Sequence, residues 1–214
     1  MHKLQRSQEP QGLKQARTDK IQNWDCLPAE AKKAVRDTLL EIQNYRCAYC
    51  ERLLHSEICN GELKWDGHIE HFRRKDSYFH PELTFVWENL FYSCLTKETC
   101  GKHKDDYVGS KEQYTLLIDP CKENPEDFLI FDNRGRISIR TGLSEENKKR
   151  AEFTIKAFHL DDPKLTLKRK ELQEKYKWLE QCPSQDIEKY LLDTVTDEPF
   201  ITAIFHYFGK RVVS

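Results

Sequence analysis

The segment Gly67–Lys75, GHIEHFRRK, sets two histidines, a carboxylate and three cations side by side. An imidazole titrates near neutral pH and can take a proton from water. A carboxylate oxygen suits a hard divalent ion. A basic run can hold phosphates on either side of a bond being cut. These residue types together fit phosphodiester hydrolysis. A histidine would be the base and Glu70 a ligand of Mg2+ or Mn2+. Arg73, Arg74 and Lys75, with Lys102 and Lys104 further on, would contact phosphates. His68 reads as a half-exposed strand histidine able to touch substrate. Asn89, in TFVWENLFYSC, carries an amide able to orient the histidine.

Two cysteine pairs enclose this segment. Cys47 and Cys50 form a CxxC, and Cys94 and Cys100 a looser pair, CLTKETC. Four thiolates from two such loops can meet at one tetrahedral Zn2+. The bland alternative is four small buried side chains. Cys26, Cys59, Cys121 and Cys182 stand alone, and for them that reading is preferred. His68-Ile69-Glu70 also matches the H-x-E element of zinc nucleobase deaminases. That chemistry needs a downstream Pro-Cys-x-x-Cys, and the tight pair here precedes the histidine.

Around these residues the chain is 214 residues long, enough for one ordinary domain plus a smaller one. Its 35 Lys and Arg against 36 Asp and Glu give a net charge of −1, so a polyanion must be held by local patches rather than a global field. The first residues carry no apolar leader, and the longest apolar-rich stretch, 200–208, falls short of a bilayer span. A cytoplasmic protein with reduced thiols is expected, which favours metal binding over disulfides.

The elements that must position the chemistry follow from periodicity. Residues 1–24 read as an extended polar arm. Pro28 opens a helix with Ala31, Ala34, Val35, Leu39, Ile42 and Tyr45 on one face, running into Cys47. Residues 67–72 read as a strand. FLIFDNRGRISIR reads as a hairpin around Asp132–Gly135. Ser144 caps a helix bearing Ala151, Ile155 and Phe158. Pro163 opens another with Leu165, Leu172, Tyr176 and Leu179 inward and KLTLKRK, 164–170, outward. Shorter helices are expected near 187–195 and 199–208. Trp87 and Phe91 read as core; His55 and His80 read as surface.

The order Cys-x-x-Cys, Glu-His, Trp-x-Asn-Leu, then Cys…Cys with a trailing lysine resembles the HNH nuclease family. The resemblance implies an α+β fold with a zinc-stabilised ββα-metal core over 25–110. An N-terminal helix would precede it, and a C-terminal β-hairpin and helical region over 111–214 would dock a partner. It implies His71 as general base, Asn89 as the asparagine bracing the loop, and Glu70 as a catalytic-metal ligand. The third ligand often directly follows the last cysteine. Gly101 stands there and cannot ligate, so His103 is the candidate.

Further stretches, among them CAYCERLL, HIEHFRRKDSYFHPEL, CGKHKDD and LIDPCKENPEDFLIF, resemble the small HNH nucleases (PtuB-like) of Septu and retron anti-phage defence systems. Membership would imply an ABC/SMC-like ATPase partner, and in a retron a reverse transcriptase with its msDNA. The leading expectation is a metal-dependent endonuclease acting on DNA or RNA. The alternative is a non-catalytic zinc-stabilised module that binds nucleic acid or protein.

Overall fold

A computed structural model of the chain describes residues 1–60 and 62–212. The end of the 111–214 region therefore lies outside the described residues. Among the described residues the fold is mixed α+β: three two-stranded antiparallel sheets set among helices. None of those helices is long and apolar enough to cross a membrane.

The first 24 residues are not an extended arm, because α1 (Gln11–Thr18) forms within them. Leu13 and Ala16 are one helical turn apart and both buried, and Met1 and Leu4 also enter the core. A Cβ on Gly12 would lie 2.6 Å from the Ala31 Cβ, so glycine lets α1 press on the next helix. That helix, α2 (Ala29–Ile42), starts where Pro28 predicts. It buries Val35, Leu39 and Leu40, while Ala34 faces out. It stops short of Cys47. Asn44 and Tyr45 adopt positive φ (47° and 55°), and the turn leaves the Tyr45 ring exposed and stacked on Trp65.

A hairpin that periodicity did not reveal follows the first cysteine pair: β1 (Ser56–Cys59) against β2 (Glu62–Trp65). Its Ile58 and Leu63 sit opposite one another and are exposed. Polar-looking, two-sided strands give no clean alternation to read. Next come β3 (Gly67–His71), β4 (Leu90–Cys94) and α3 (Cys100–Tyr107). β3 and β4 pair from Gly67–Cys94 to His71–Leu90.

The second half follows its sequence signals closely. β5 (Leu129–Phe131) and β6 (Ile137–Ile139) form the expected hairpin. The Ser144 hydroxyl accepts from the Asn147 N–H at 3.3 Å and caps α4 (Glu145–Phe158), whose Ala151, Ile155 and Phe158 are buried. Asp162 caps α5 (Pro163–Tyr176), and α6 (Ser184–Thr194) and α7 (Ile201–Tyr207) follow. The 164–170 stretch is not wholly outward. Arg169 is 1 % exposed, donates to the Leu160 carbonyl at 2.7 Å and lies over the Phe131 ring. Its hydrogen bond and aromatic contact let the guanidinium be buried.

One apolar cluster runs from Leu13 and Leu39 through Phe91 to Leu129 and Phe158, so both halves of the chain share it. Trp87 and Phe91 belong to it, as expected. A smaller cluster joins Tyr176, Leu179 and Leu191 to Ile204 and Phe205.

Candidate functional site

The four paired cysteines meet. Their sulfurs lie within 4.8 Å of one another and all four residues are buried. The loops that bring them together turn through left-handed backbone at Glu51 (φ 66°) and Cys100 (φ 61°). Hydrogen bonds from the Cys100, Cys47 and Cys50 thiols draw the Cys94 thiol well below the ordinary thiol range. A closed, all-sulfur donor set of this kind can hold one Zn2+. Ser93 Oγ lies 3.8 Å from Cys47 Sγ and accepts from the Gly101 N–H at 3.2 Å, tying the cluster to the start of α3. The other cysteines lie outside the cluster.

Beside the cluster, β3 and α3 form the walls of a polar cavity of about 360 Å³. It is lined by His68, Glu70, His71, Arg74, Lys75 and Asp105, among others. Strand alternation puts His68 and Glu70 on one face, and His68 Nε2 lies 3.3 Å from Glu70 Oε2. His71 also reaches the cavity from the end of the strand.

His71 is held in one tautomer. Its Nε2 lies 3.0 Å from the Thr84 carbonyl, which can only accept, so Nε2 carries the proton and Nδ1 keeps its lone pair. The Trp24 ring meets it edge-on at 4.9 Å. Burial drives its pKa down to about 4 despite the Thr84 carbonyl, so the ring is neutral at pH 7. Burial alone would raise Glu70, but the Lys104 ammonium and His68 overcome it and bring the carboxyl to about 2. Burial, and then the Glu70 charge, push Asp105 up to about 6.

Asn89 braces the loop between His71 and β4. Its Oδ1 accepts from the Arg73 N–H at 2.8 Å, and its Nδ2 donates to the Arg73 carbonyl at 2.9 Å and the Leu83 carbonyl at 3.3 Å. It touches the backbone beside Thr84 rather than the His71 ring.

Other expected site residues are elsewhere. His103 lies outside the cavity: its Nδ1 donates to the Ala157 carbonyl at 2.9 Å, and its ring stacks on Tyr107 and approaches His159. Helical periodicity explains this, since Gly101 and residue 105 share a face and residue 103 is turned away. Asp105 lines the cavity instead, and counting one turn on from Gly101 could have found it. Gly101 is small for a reason: a Cβ there would lie 2.6 Å from Glu70 Cδ and Oε2. Lys104 is fully buried and cannot meet a phosphate from outside. Arg74 lines the cavity, although its guanidinium already bonds Asp76 and the Asp105 carbonyl. Lys75 lines it too, whereas Arg73 and Lys102 do not.

Glu70 Oε1 and Asp105 Oδ1 are buried beside the Lys104 ammonium, 2.5 and 2.9 Å from its Nζ, with no well-directed hydrogen bond from it; carboxylate oxygens are the donor type a hard cation takes. His68 Nδ1 is likewise buried and unpartnered. A larger cavity, about 740 Å³ between the β5–β6 turn and α5, presents Arg134, Arg136 and Lys170 with the carboxylates of Asp161 and Glu174, and no histidine lines it.

No protein-family profile matches the chain. Curated proteins do. A Vibrio cholerae protein named "Retron Vc95 putative HNH endonuclease" is 28 % identical over 144 residues, 65 % of this chain and 63 % of that protein. The likeness is to HNH and Septu PtuB proteins. A Septu protein PtuB from Bacillus mycoides is 28 % identical over 169 residues, covering 66 % of this chain and 52 % of the relative. Another from Bacillus thuringiensis is 33 % identical over 102 residues, 48 % and 34 % of the two chains. The chain thus spans less than two thirds of each of these HNH and PtuB relatives.

Proposed function

We propose that the chain is a metal-dependent HNH endonuclease that hydrolyses phosphodiester bonds in nucleic acid as the nuclease of an anti-phage defence complex. One observation carries this reading: a neutral, tautomer-fixed His71 shares a cavity with the carboxylates of Glu70 and Asp105. Two antiparallel strands followed by a helix, with Cys94 ending the second strand, Cys100 opening the helix and Cys47 and Cys50 brought in from earlier in the chain, have the order expected of a ββα-metal core.

In this reading Cys47, Cys50, Cys94 and Cys100 hold Zn2+, which fastens β4 and α3 and contributes folding energy. Glu70 and Asp105 hold Mg2+ or Mn2+ through oxygen. That ion supplies Lewis-acid stabilisation of the charge developing on the phosphate. His71 Nδ1 takes a proton from water as the water oxygen bonds to phosphorus. The P–O bond to the leaving oxygen breaks, and that oxygen is protonated from solvent. Lys75 and Arg74, at the cavity rim, hold the substrate phosphates. Asn89 keeps the Leu83–Thr84 carbonyls where His71 needs them.

The 111–214 region is the proposed docking surface for an ABC/SMC-like ATPase, joined in a retron by a reverse transcriptase and its msDNA. Leu167, Trp178, Tyr190 and Leu192 are exposed there, and apolar groups at a surface are useful at an interface.

The test is cleavage of plasmid DNA and of RNA with Mg2+ or Mn2+, by the protein alone and with the product of a neighbouring ATPase gene. Cutting should disappear in His71→Ala while zinc content is unchanged. Parental cutting by His71→Ala overturns the mechanism. Nucleic-acid binding with no cutting under any condition favours the zinc-stabilised binding module.

A further inference from the structure

Lysine is almost never fully buried unless it is paired, because desolvating an ammonium is costly. Lys104 on α3 has no exposed surface. Its Nζ donates to the carbonyls of His71 at 2.7 Å and Phe72 at 2.9 Å. The same atom lies 2.5 Å from Glu70 Oε1 and 2.9 Å from Asp105 Oδ1. The backbone carbonyls receive the well-directed N–H bonds. The two carboxylate oxygens share the charge without an aligned donor. The ammonium is therefore a fixed point charge, tied to the backbone of the very strand that carries Glu70 and His71. With Nζ held by both carbonyls, a divalent ion on the remaining carboxylate oxygens would sit beside it.

We propose that Lys104 is a positioning residue that leaves the divalent-ion site short of negative charge, so that the ion and a nucleic-acid phosphate bind cooperatively. The proposal rests on Glu70 and Asp105 being the ligands of that ion. Glu70 and Asp105 opposed by Lys104 leave a single net negative charge facing a doubly charged cation, and the other charges lining the cavity, Arg74 and Lys75 against Asp76 and Asp106, cancel. The field of Lys104 acts through a poorly screened interior and weakens ion binding to the free protein. An incoming phosphodiester adds the missing negative charge. Linkage makes the effect reciprocal: the phosphate raises ion affinity by the factor by which the ion raises phosphate affinity. The arrangement confines a loaded site to moments when nucleic acid is present.

The experiment measures Mn2+ affinity of the full chain from the electron paramagnetic resonance signal of free Mn2+. It does so alone and with phosphorothioate DNA and RNA oligonucleotides. The expected result is at least about a tenfold tighter Mn2+ affinity with one of the oligonucleotides. Lys104→Met, checked for zinc content and secondary structure, should bind Mn2+ at least about tenfold more tightly than the parent without oligonucleotide, and should gain less from it. A merely structural lysine would give the opposite sign, because misaligned ligands bind ions more weakly; that result overturns the proposal. If Lys104→Met does not fold, the parent protein decides: equal Mn2+ affinity with and without both oligonucleotides overturns the coupling. Cleavage with bound Mn2+ but no coupling removes this proposal and leaves the nuclease standing. No Mn2+ binding in any arm removes both.

Discussion

His71 and Asn89 grip consecutive carbonyls of one loop, His71 through Thr84 at 3.0 Å and Asn89 through Leu83 at 3.3 Å. The orientation of the candidate base thus depends on an amide that never touches its ring. Asn89→Ala should leave the Arg73 N–H without its acceptor and cost about 1–3 kcal/mol of stability. It should also lower kcat more than it raises KM, since the base is displaced while phosphate contacts persist. Denaturant melts and steady-state cleavage kinetics read both effects; a melt shift with unchanged kcat would separate the loop from the chemistry.

Asp105 and His103 offer a direct contrast. Asp105→Asn should weaken Mn2+ binding by at least about tenfold, because a carboxylate is a far better ligand for a hard cation than an amide. His103→Asn should leave Mn2+ affinity within about twofold, since the ring faces Ala157 on α4. Calorimetric titration of the two variants with Mn2+ checks the assignment, and an inverted order would restore His103.

Gly101→Ala tests the seat of Glu70. The new methyl would lie 2.6 Å from Glu70 Cδ and Oε2, so the carboxylate must shift. Expected are a loss of cleavage of roughly 10²-fold or more, by analogy with other displaced catalytic groups, and retained zinc. Metal analysis beside cleavage assays distinguishes this from a general failure to fold.

Zinc removal should act on the whole core. Cys50→Ser leaves three sulfurs, and prolonged chelation leaves four without an ion, around a site that joins the end of β4 to the start of α3. Because a structural ion contributes folding energy outright, the variant should lose zinc and solubility together. Folding and solubility equal to the parent without zinc would show that the cysteines act as ordinary buried side chains.

Several features were legible before any coordinates. The paired cysteines, which meet in one buried cluster, stood out by residue type and spacing, and the Glu-His pair and Asn89 stood out as polar groups between them. The Ser144 and Pro163 helix starts and the Asp132–Gly135 turn were equally plain, since caps, proline and glycine act over a few residues. Local rules suffice where the deciding forces are local.

Tertiary structure decided the rest, and in each case a distant partner was the reason. The first 24 residues carry a helix because Leu13 and Ala16 find a core built by later residues. Arg169 is buried because the Leu160 carbonyl and the Phe131 ring receive it. Lys104 looks like a surface cation until two backbone carbonyls and two carboxylates close around it. The sequence by itself determined which chemical groups this protein possesses and the short elements that carry them. Only the packing of α3 against β3 decided that Asp105 rather than His103 faces the cavity, because burial and charge pairing depend on neighbours that are remote along the chain.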